Sequence, residues 1–283
     1  MNIRVVRKKI KSVGSVKKIT QAMQFVSAIK MRKAQQIALE SQPYQEFIKK
    51  SIEKITKKID LKTSKLLMKP SLSTTRNLAI VITSNKGLCG AFNINLIRYI
   101  LKNINIKNTD FITVGKKGSL LINHLGGNIL ADFSSDFPFD NVSAVFNFAL
   151  EEFLKKKYKS VSLFYNKFVS TLKYEPINEV ILPFVLEQKD ETKDFYSDYL
   201  IEPSPEEIID SLLKNYIEEK IRFAIIQTAA GEHSARMIAM KNATDNAVDV
   251  IYSLTQLRNK LRQQKITYEL LDMITAKESV ENL

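Results

Sequence analysis

The chain has 283 residues, of which 45% are apolar and 26% are charged, and this supplies enough apolar surface for a folded core of one or two domains. Cys89 is the only cysteine, which excludes an internal disulfide. The net charge of +13 favours an acidic partner, either a protein, a nucleic acid or an anionic membrane.

The first predicted element is a long helix in residues 1–60. Its opening apolar residues follow the three-and-four spacing of a coiled-coil seam: Ile3, Val6, Ile10 and Val13. A second run keeps this spacing in a shifted phase after Gly14: Val16, Ile19, Met23 and Val26. The sequence therefore predicts a slip of the seam near Gly14, and a kink or break at Pro43.

A basic cluster, Lys30, Arg32 and Lys33, follows these runs on the same helix. One interpretation is an ordinary solvated helix face, and another is electrostatic contact with an acidic partner. A nucleic acid also fits the charge, but no aromatic side chains for base stacking alternate with these cations.

An α/β domain is predicted for residues 76–201. Short β-rich runs at 78–83, 111–114 and 161–165 alternate with helical segments at 91–101, 116–124 and 142–157. This alternation predicts parallel strands in one sheet, with possible edge strands at 179–186 and 195–201.

Two glycine-rich turns in this domain stand where catalytic or phosphate-binding loops often occur. The first, Gly87 to Gly90, follows a strand and precedes a helix, but matches no phosphate-loop or nucleophile-elbow pattern. We expect a structural turn with Cys89 packed inside it. A Cys89 nucleophile is the alternative, although no base lies beside it in sequence. At Gly115 to Gly118 a plain turn is likewise favoured over an anion site.

A second long helix is predicted for residues 204–283, with Ser204 as N-cap and Pro205 in the first helical position. Its seam comprises Ile226, Ala230, His233, Met237, Met240, Thr244, Ala247, Ile251, Leu254 and Leu261. Because a compact domain usually brings its chain ends together, the two helices are expected to pair antiparallel. If the second helix is unbroken, its roughly seventy residues at ~1.5 Å each give a length on the order of 100 Å, which exceeds what a compact domain can bury.

Other classes of protein are disfavoured by missing signals. The N-terminus lacks the apolar core of a secretion signal, and no apolar run reaches the ~18 residues of a membrane span. The only histidines, His124 and His233, lie far apart in sequence, so no metal cluster is predicted. We expect a soluble, cytoplasmic chain without metal, cofactor or catalytic site, although it could belong to a membrane-attached assembly.

Four segments then resemble one known family, the gamma subunits of F-type ATP synthases. They are IKSVGSVKKITQAMQFVSAIKMRKAQ at 10–35, TSNKGLCGAFN at 83–93, EHSARMIAMKNATDN at 232–246 and LRQQKITYELLDMI at 261–274. The resemblance covers both ends and the middle of the chain, in order. It implies an antiparallel, left-handed coiled coil of the terminal helices with a Rossmann-like α/β domain between them.

By this resemblance the chain is the rotor of the central stalk, without a catalytic site of its own. The coiled coil stands inside a ring of alpha and beta subunits, and the globular end meets the epsilon subunit and the membrane ring of c subunits. The resemblance also implies eight partner-contact residues: Met23, Lys30, Arg32, Lys33, Arg236, Gln263, Thr267 and Glu269. The last three are expected to form one contact patch. Two alternatives stay open, a basic coiled-coil protein that binds nucleic acid and a small enzyme with Cys89 as nucleophile.

Overall fold

The computed structural model describes residues 2–56, 66, 76–135, 138–184, 202 and 204–281. In chain order, the helices are α1 Ile3–Thr56, α2 Phe92–Asn103, α3 Lys116–His124, α4 Val142–Leu154 and α5 Pro205–Glu281. The strands are β1 Asn77–Ile82, β2 Thr109–Val114, β3 Asn128–Asp132, β4 Val161–Ser170 and β5 Lys173–Leu182. The predicted order of helix, α/β sheet and helix is therefore confirmed.

The chain divides into two compact units that do not coincide with the three predicted segments. The helical unit combines the residues up to Ser27 with those from Arg236 onward, and the sheet unit spans Ala28–Ala235. The second half of α1 and the first part of α5 thus belong with the sheet.

The sheet unit has three layers. Its five strands lie in the order β3-β2-β1-β4-β5, and all neighbours are parallel except β4 and β5, which form an antiparallel hairpin. One face of the sheet packs against α2 and α3, through residues such as Val81, Leu96 and Phe111. The other face packs against α4 and the adjoining parts of α1 and α5, with Ile52 and Ile221 fully buried. Apolar residues on both faces explain why β1 reads as a continuous apolar run.

The edges of the sheet differ from the prediction. β3 was not predicted, because this five-residue edge strand alternates exposed and half-buried residues and has no apolar run. The expected strand at 179–186 is β5, which starts six residues earlier because it pairs with the extended β4. The expected strand at 195–201 lies outside the described residues.

In the helical unit, the predicted slip at Gly14 is wrong. After Val13 the three-and-four spacing continues without interruption through Lys17, Thr20, Gln24 and Ser27, all buried or half-buried. Val16, Ile19 and Val26 of the supposed second run are exposed, with Ile19 at 60%. The sequence pattern suggested a change of phase because polar residues occupy seam positions and apolar residues lie outside the seam.

Each residue predicted for the seam of α5 is buried or half-buried. The hydroxyl oxygens of Thr20 and Thr244 lie 2.7 Å apart in the helical unit, and Gln45 Nε2 donates to the Glu219 carbonyl over 3.3 Å in the sheet unit. Residue numbers therefore rise along α1 as they fall along α5, which makes the helices antiparallel. A sustained spacing of 3.5 residues predicts a left-handed supercoil.

The predicted ends and breaks of the helices have mixed outcomes. Ser204 accepts a hydrogen bond from the Glu207 N–H over 3.3 Å, and α5 begins at Pro205, as the capping pattern predicted. Pro43 does not break α1, which continues to Thr56 with Pro43 exposed. No described helix combines the length and hydropathy that a membrane span would need.

Candidate partner-contact surfaces

The most exposed part of the described chain is the last portion of α5. Every side chain from 262 to 277 is exposed, whereas Leu261, the last seam residue, is half-buried. At ~1.5 Å per residue, about 24 Å of bare helix therefore extends past Leu261. We call residues 262–277 the bare end.

The bare end carries apolar side chains that a helix in water would not favour. Five of them are between 48% and 61% exposed: Ile266, Leu270, Leu271, Met273 and Ile274. Contiguous exposed apolar residues typically mark a surface that another protein covers. Most of the stability of a helix in a protein comes from packing, so this segment is expected to gain its packing from a partner.

Three of the predicted contact residues, Gln263, Thr267 and Glu269, lie on the bare end. Thr267 Oγ1 donates to the Gln263 carbonyl over 3.0 Å, and Glu269 forms a 3.2 Å ion pair with Lys265. Positions 267 and 269 are separated by about 200° around the helix, so they face opposite sides. Gln263 and Thr267 therefore share one side of the helix and Glu269 lies on the other, so the three residues do not form one patch.

The basic cluster lies in the sheet unit's part of α1. Lys30, Arg32 and Lys33 are all exposed, and none forms an ion pair with another described residue. Lys30 and Lys33 are one turn apart, and Arg32 lies about 100° from Lys33 and about 200° from Lys30 around the helix. Because the first acidic residue of α1 is Glu40, this surface stays positive and can receive an acidic partner.

The other two predicted contact residues are less available. Met23 is half-buried on α1, and Arg236 is buried, with 7% of its surface exposed. Arg236 also has an interaction within the chain. Charge and motif alone did not distinguish this arginine from the exposed cations.

The turn that contains Cys89 is built as a structural turn. Leu88 and Gly90 have φ angles of 64° and 59°, a conformation that glycine adopts without strain and that Leu88 must be held in by its surroundings. Cys89 is 3% exposed, and its Sγ lies 3.5 Å from the Asn93 amide nitrogen, which also donates to Ser84 Oγ over 2.7 Å. An amide and a hydroxyl cannot activate a thiol as a general base, so these contacts describe packing.

The turn before α3 is also closed to ligands. Its first amides are occupied by the loop after β1: Lys116 N–H donates to Asn85 Oδ1 over 3.0 Å, Lys117 N–H to the Ser84 carbonyl and Gly118 N–H to Thr83 Oγ1. A Cβ at Gly115 would lie 2.2 Å from the Thr83 carbonyl oxygen, so the two loops need glycine to approach each other. Since an anion would have to displace these bonds, the arrangement supports a plain turn.

A network around a buried carboxylate, Asp110, stabilises the opposite end of the sheet. Asp110 accepts hydrogen bonds from Tyr158 Oη over 2.7 Å and Asn128 Nδ2 over 2.9 Å, and it pairs with Arg76. Burial raises the pKa of Asp110, but the three donors outweigh it and hold the pKa below the ordinary aspartate value. Burial and Asp110 together raise the pKa of Tyr158. This is a fully paired structural network, and no cluster among the described side chains has the make-up of a metal site.

Comparison with known proteins gives one consistent result. A family model described as "ATP synthase" matches residues 2–280. The "ATP synthase gamma chain" of Verminephrobacter eiseniae is 36% identical over 95% of both chains, and that of Bdellovibrio bacteriovorus 33% identical over 99% of both. A chain from the Euglena gracilis mitochondrial ATP synthase structure "OSCP/F1/c-ring, rotational state 3" matches with a TM-score of 0.68 and 18% identity, over 98% of this chain and 94% of that one.

Proposed function

The chain belongs to the ATP synthase gamma chain family, and from this we propose that it is the rotor of the central stalk in an F-type ATP synthase. In this role it couples ion-driven rotation of the membrane c ring to ATP synthesis or hydrolysis in the catalytic ring. Neither the family match nor the relatives support the nucleic-acid alternative.

The observation that carries the proposal is the bare end of α5. An extended helix on which every side chain is exposed, with apolar residues along about half of its circumference, needs a partner to cover it. We assign this partner to the alpha and beta subunits. Gln263 and Thr267, which share one side of the helix, and Glu269, which lies on the other side, would then meet different subunits of the ring.

The basic cluster supplies a second contact with the same ring. Lys30, Arg32 and Lys33 surround part of α1, so acidic loops of successive beta subunits could meet them in turn as the shaft rotates. Exposed ion pairs contribute only about 0–1 kcal/mol each, which suits contacts that must form and release in every cycle.

We assign the remaining contacts to the epsilon subunit and the c ring, which by the family resemblance meet the globular domain. The chain would then be a peripheral protein on the cytoplasmic face of the inner membrane, held there through the complex. ATP chemistry would belong to the beta subunits, and Cys89 and the two glycine-rich turns would serve the structure of the α/β domain.

Isolation of the tagged chain from native membranes tests this proposal. We expect the alpha, beta, epsilon and c subunits to co-purify in a complex that hydrolyses ATP. A chain that lacks residues 262–283 provides the comparison, and it should keep its fold but hold the alpha and beta subunits less firmly. Recovery of nucleic acid without the ring subunits would contradict the proposal.

A further inference from the structure

One face of α5 in the sheet unit carries three polar side chains at intervals of seven residues: Lys220, Gln227 and Ser234. A step of seven returns almost to the same side of a helix, so the three point in one direction over about 21 Å. Each of them bonds to the β4–β5 hairpin, which runs alongside.

The three bonds engage successive parts of the hairpin. Lys220 Nζ lies 2.8 Å from Glu179 Oε2 on β5, the Phe168 N–H on β4 donates to Gln227 Oε1 over 3.0 Å, and Ser234 Oγ donates to the Thr171 carbonyl in the turn. The β4–β5 pairing shifts between Phe168 and Ser170, and a bulge of this kind leaves backbone groups unpaired. Gln227 thus satisfies a strand amide at the point where the sheet is irregular.

The surroundings hold these groups in place. Tyr165 Oη donates to the other oxygen of Glu179 over 3.1 Å, and Lys220 Nζ lies 5.7 Å from the centre of the Tyr216 ring. Burial lowers the pKa of Lys220, but Glu179 outweighs it, so the ammonium form is favoured. Gln227 and Ser234 are buried, which protects their hydrogen bonds from exchange with water.

α5 also comes very close to the hairpin between the second and third bond. A Cβ added at Gly231 would lie 3.0 Å from Phe92 Cε2 and 3.7 Å from Tyr174 Cβ. The rings of Phe92 and Tyr174 contact edge to face at 4.9 Å. If α5 rotated about its own axis, its backbone near Gly231 would press against these rings. Close packing and the polar bonds therefore oppose the same rotation.

We propose that Lys220, Gln227 and Ser234 are positioning residues that fix α5 to the β4–β5 hairpin against rotation about the helix axis. Apolar packing alone resists separation but allows ridges to slide, whereas directional bonds at three levels resist a twist. Torque that enters the sheet is thereby passed into α5, which continues unbroken beyond Ala235. This inference rests on the proposed rotor function.

Single-molecule rotation of the assembled complex tests the anchor. The catalytic ring is immobilised, and a gold probe is attached to the α/β domain through Lys107→Cys in a Cys89→Ser background. The variance of the probe angle during pauses reports the torsional stiffness of the shaft. In the triple variant Lys220→Met, Gln227→Leu, Ser234→Ala this variance should rise about two-fold, because each lost bond removes one restraint.

Matched controls separate the anchor from general damage. Lys173→Met makes the same chemical change at Lys173, whose ion pair with Glu175 lies within β5, and it should leave the variance unchanged. The exchange Glu179→Lys with Lys220→Glu should restore the stiffness that Lys220→Met loses. If the triple variant does not assemble, Gln227→Leu alone is used, and hydrogen exchange of the Phe168 amide should accelerate about five-fold.

The outcomes distinguish the anchor from the rotor function itself. A wild-type complex that hydrolyses ATP without turning the probe overturns the proposed function. A wild-type complex that turns, together with a triple variant of equal angular variance, overturns the anchor alone. Equal exchange of the Phe168 amide in Gln227→Leu and in the wild type also overturns it.

Discussion

Replacement of Gly14 by alanine is expected to stabilise the protein. Gly14 lies inside α1, and a Cβ built there meets no other atom within 4 Å. Alanine is favoured over glycine in a helix interior by about 0.5–1 kcal/mol, because the unfolded glycine chain has more conformational freedom to lose. Local opening of α1 around this residue should therefore become about two- to five-fold rarer.

Native-state hydrogen exchange of the α1 amides on either side of residue 14 measures this effect, and exchange should slow by the same factor. Gly231→Ala is the matched control, since this glycine is also helical but its new Cβ would press on the Phe92 ring. The gain in stability from Gly231→Ala should be smaller than that from Gly14→Ala, or should become a loss. Unchanged or faster exchange in Gly14→Ala would refute the reasoning, because it would mean that the added methyl group strains the coiled coil.

Three further predictions concern the seam, the cysteine and the buried carboxylate. Ala247→Trp should cost about 1–3 kcal/mol by overpacking a buried seam position, and an unchanged thermal melt with normal complex assembly would contradict the seam assignment. Cys89→Ser should keep rotation-coupled ATP turnover with a modest loss of stability; a folded, assembled variant without activity would revive the enzyme alternative. Asp110 has a lowered folded pKa, so its contribution to stability is complete above the unfolded value of about 3.9 and disappears as the pH falls through the folded value. Acid unfolding curves of the wild type and Asp110→Asn should differ above that value and converge below it, and curves that stay parallel would contradict this.

The seam of α5 could be predicted because its apolar and small residues keep one spacing, and α3 because glycine turns mark its start. The seam of α1 could not be followed past Val13. Its positions are held by Lys17 and Thr20, whereas Ile19, outside the seam, is exposed. Apolar periodicity reports which residues are hydrophobic, and in a shaft the outer face can be as hydrophobic as the inner one because a partner covers it.

The contact residues show a second limit of sequence reasoning. The family resemblance implies that Arg236 and Glu269 are contact residues, as it does for the exposed cations of α1. Whether their side chains are accessible and which way they face depends on packing and on helix geometry. Arg236 is buried, and Glu269 faces away from Thr267. The bonds between α5 and the hairpin could not be predicted either, because Lys220 and Glu179 are 41 residues apart in sequence and become neighbours only when α5 packs against the hairpin.

As the proposed rotor, this chain turns as a shaft inside a catalytic ring. Single-molecule observation of the wild-type complex tests it most directly, with the alpha and beta subunits fixed to a surface and a probe on the α/β domain. We expect ATP hydrolysis to drive the probe in one direction and rotation to stop when ATP is withdrawn. A complex that hydrolyses ATP while the probe only fluctuates about one angle would contradict it.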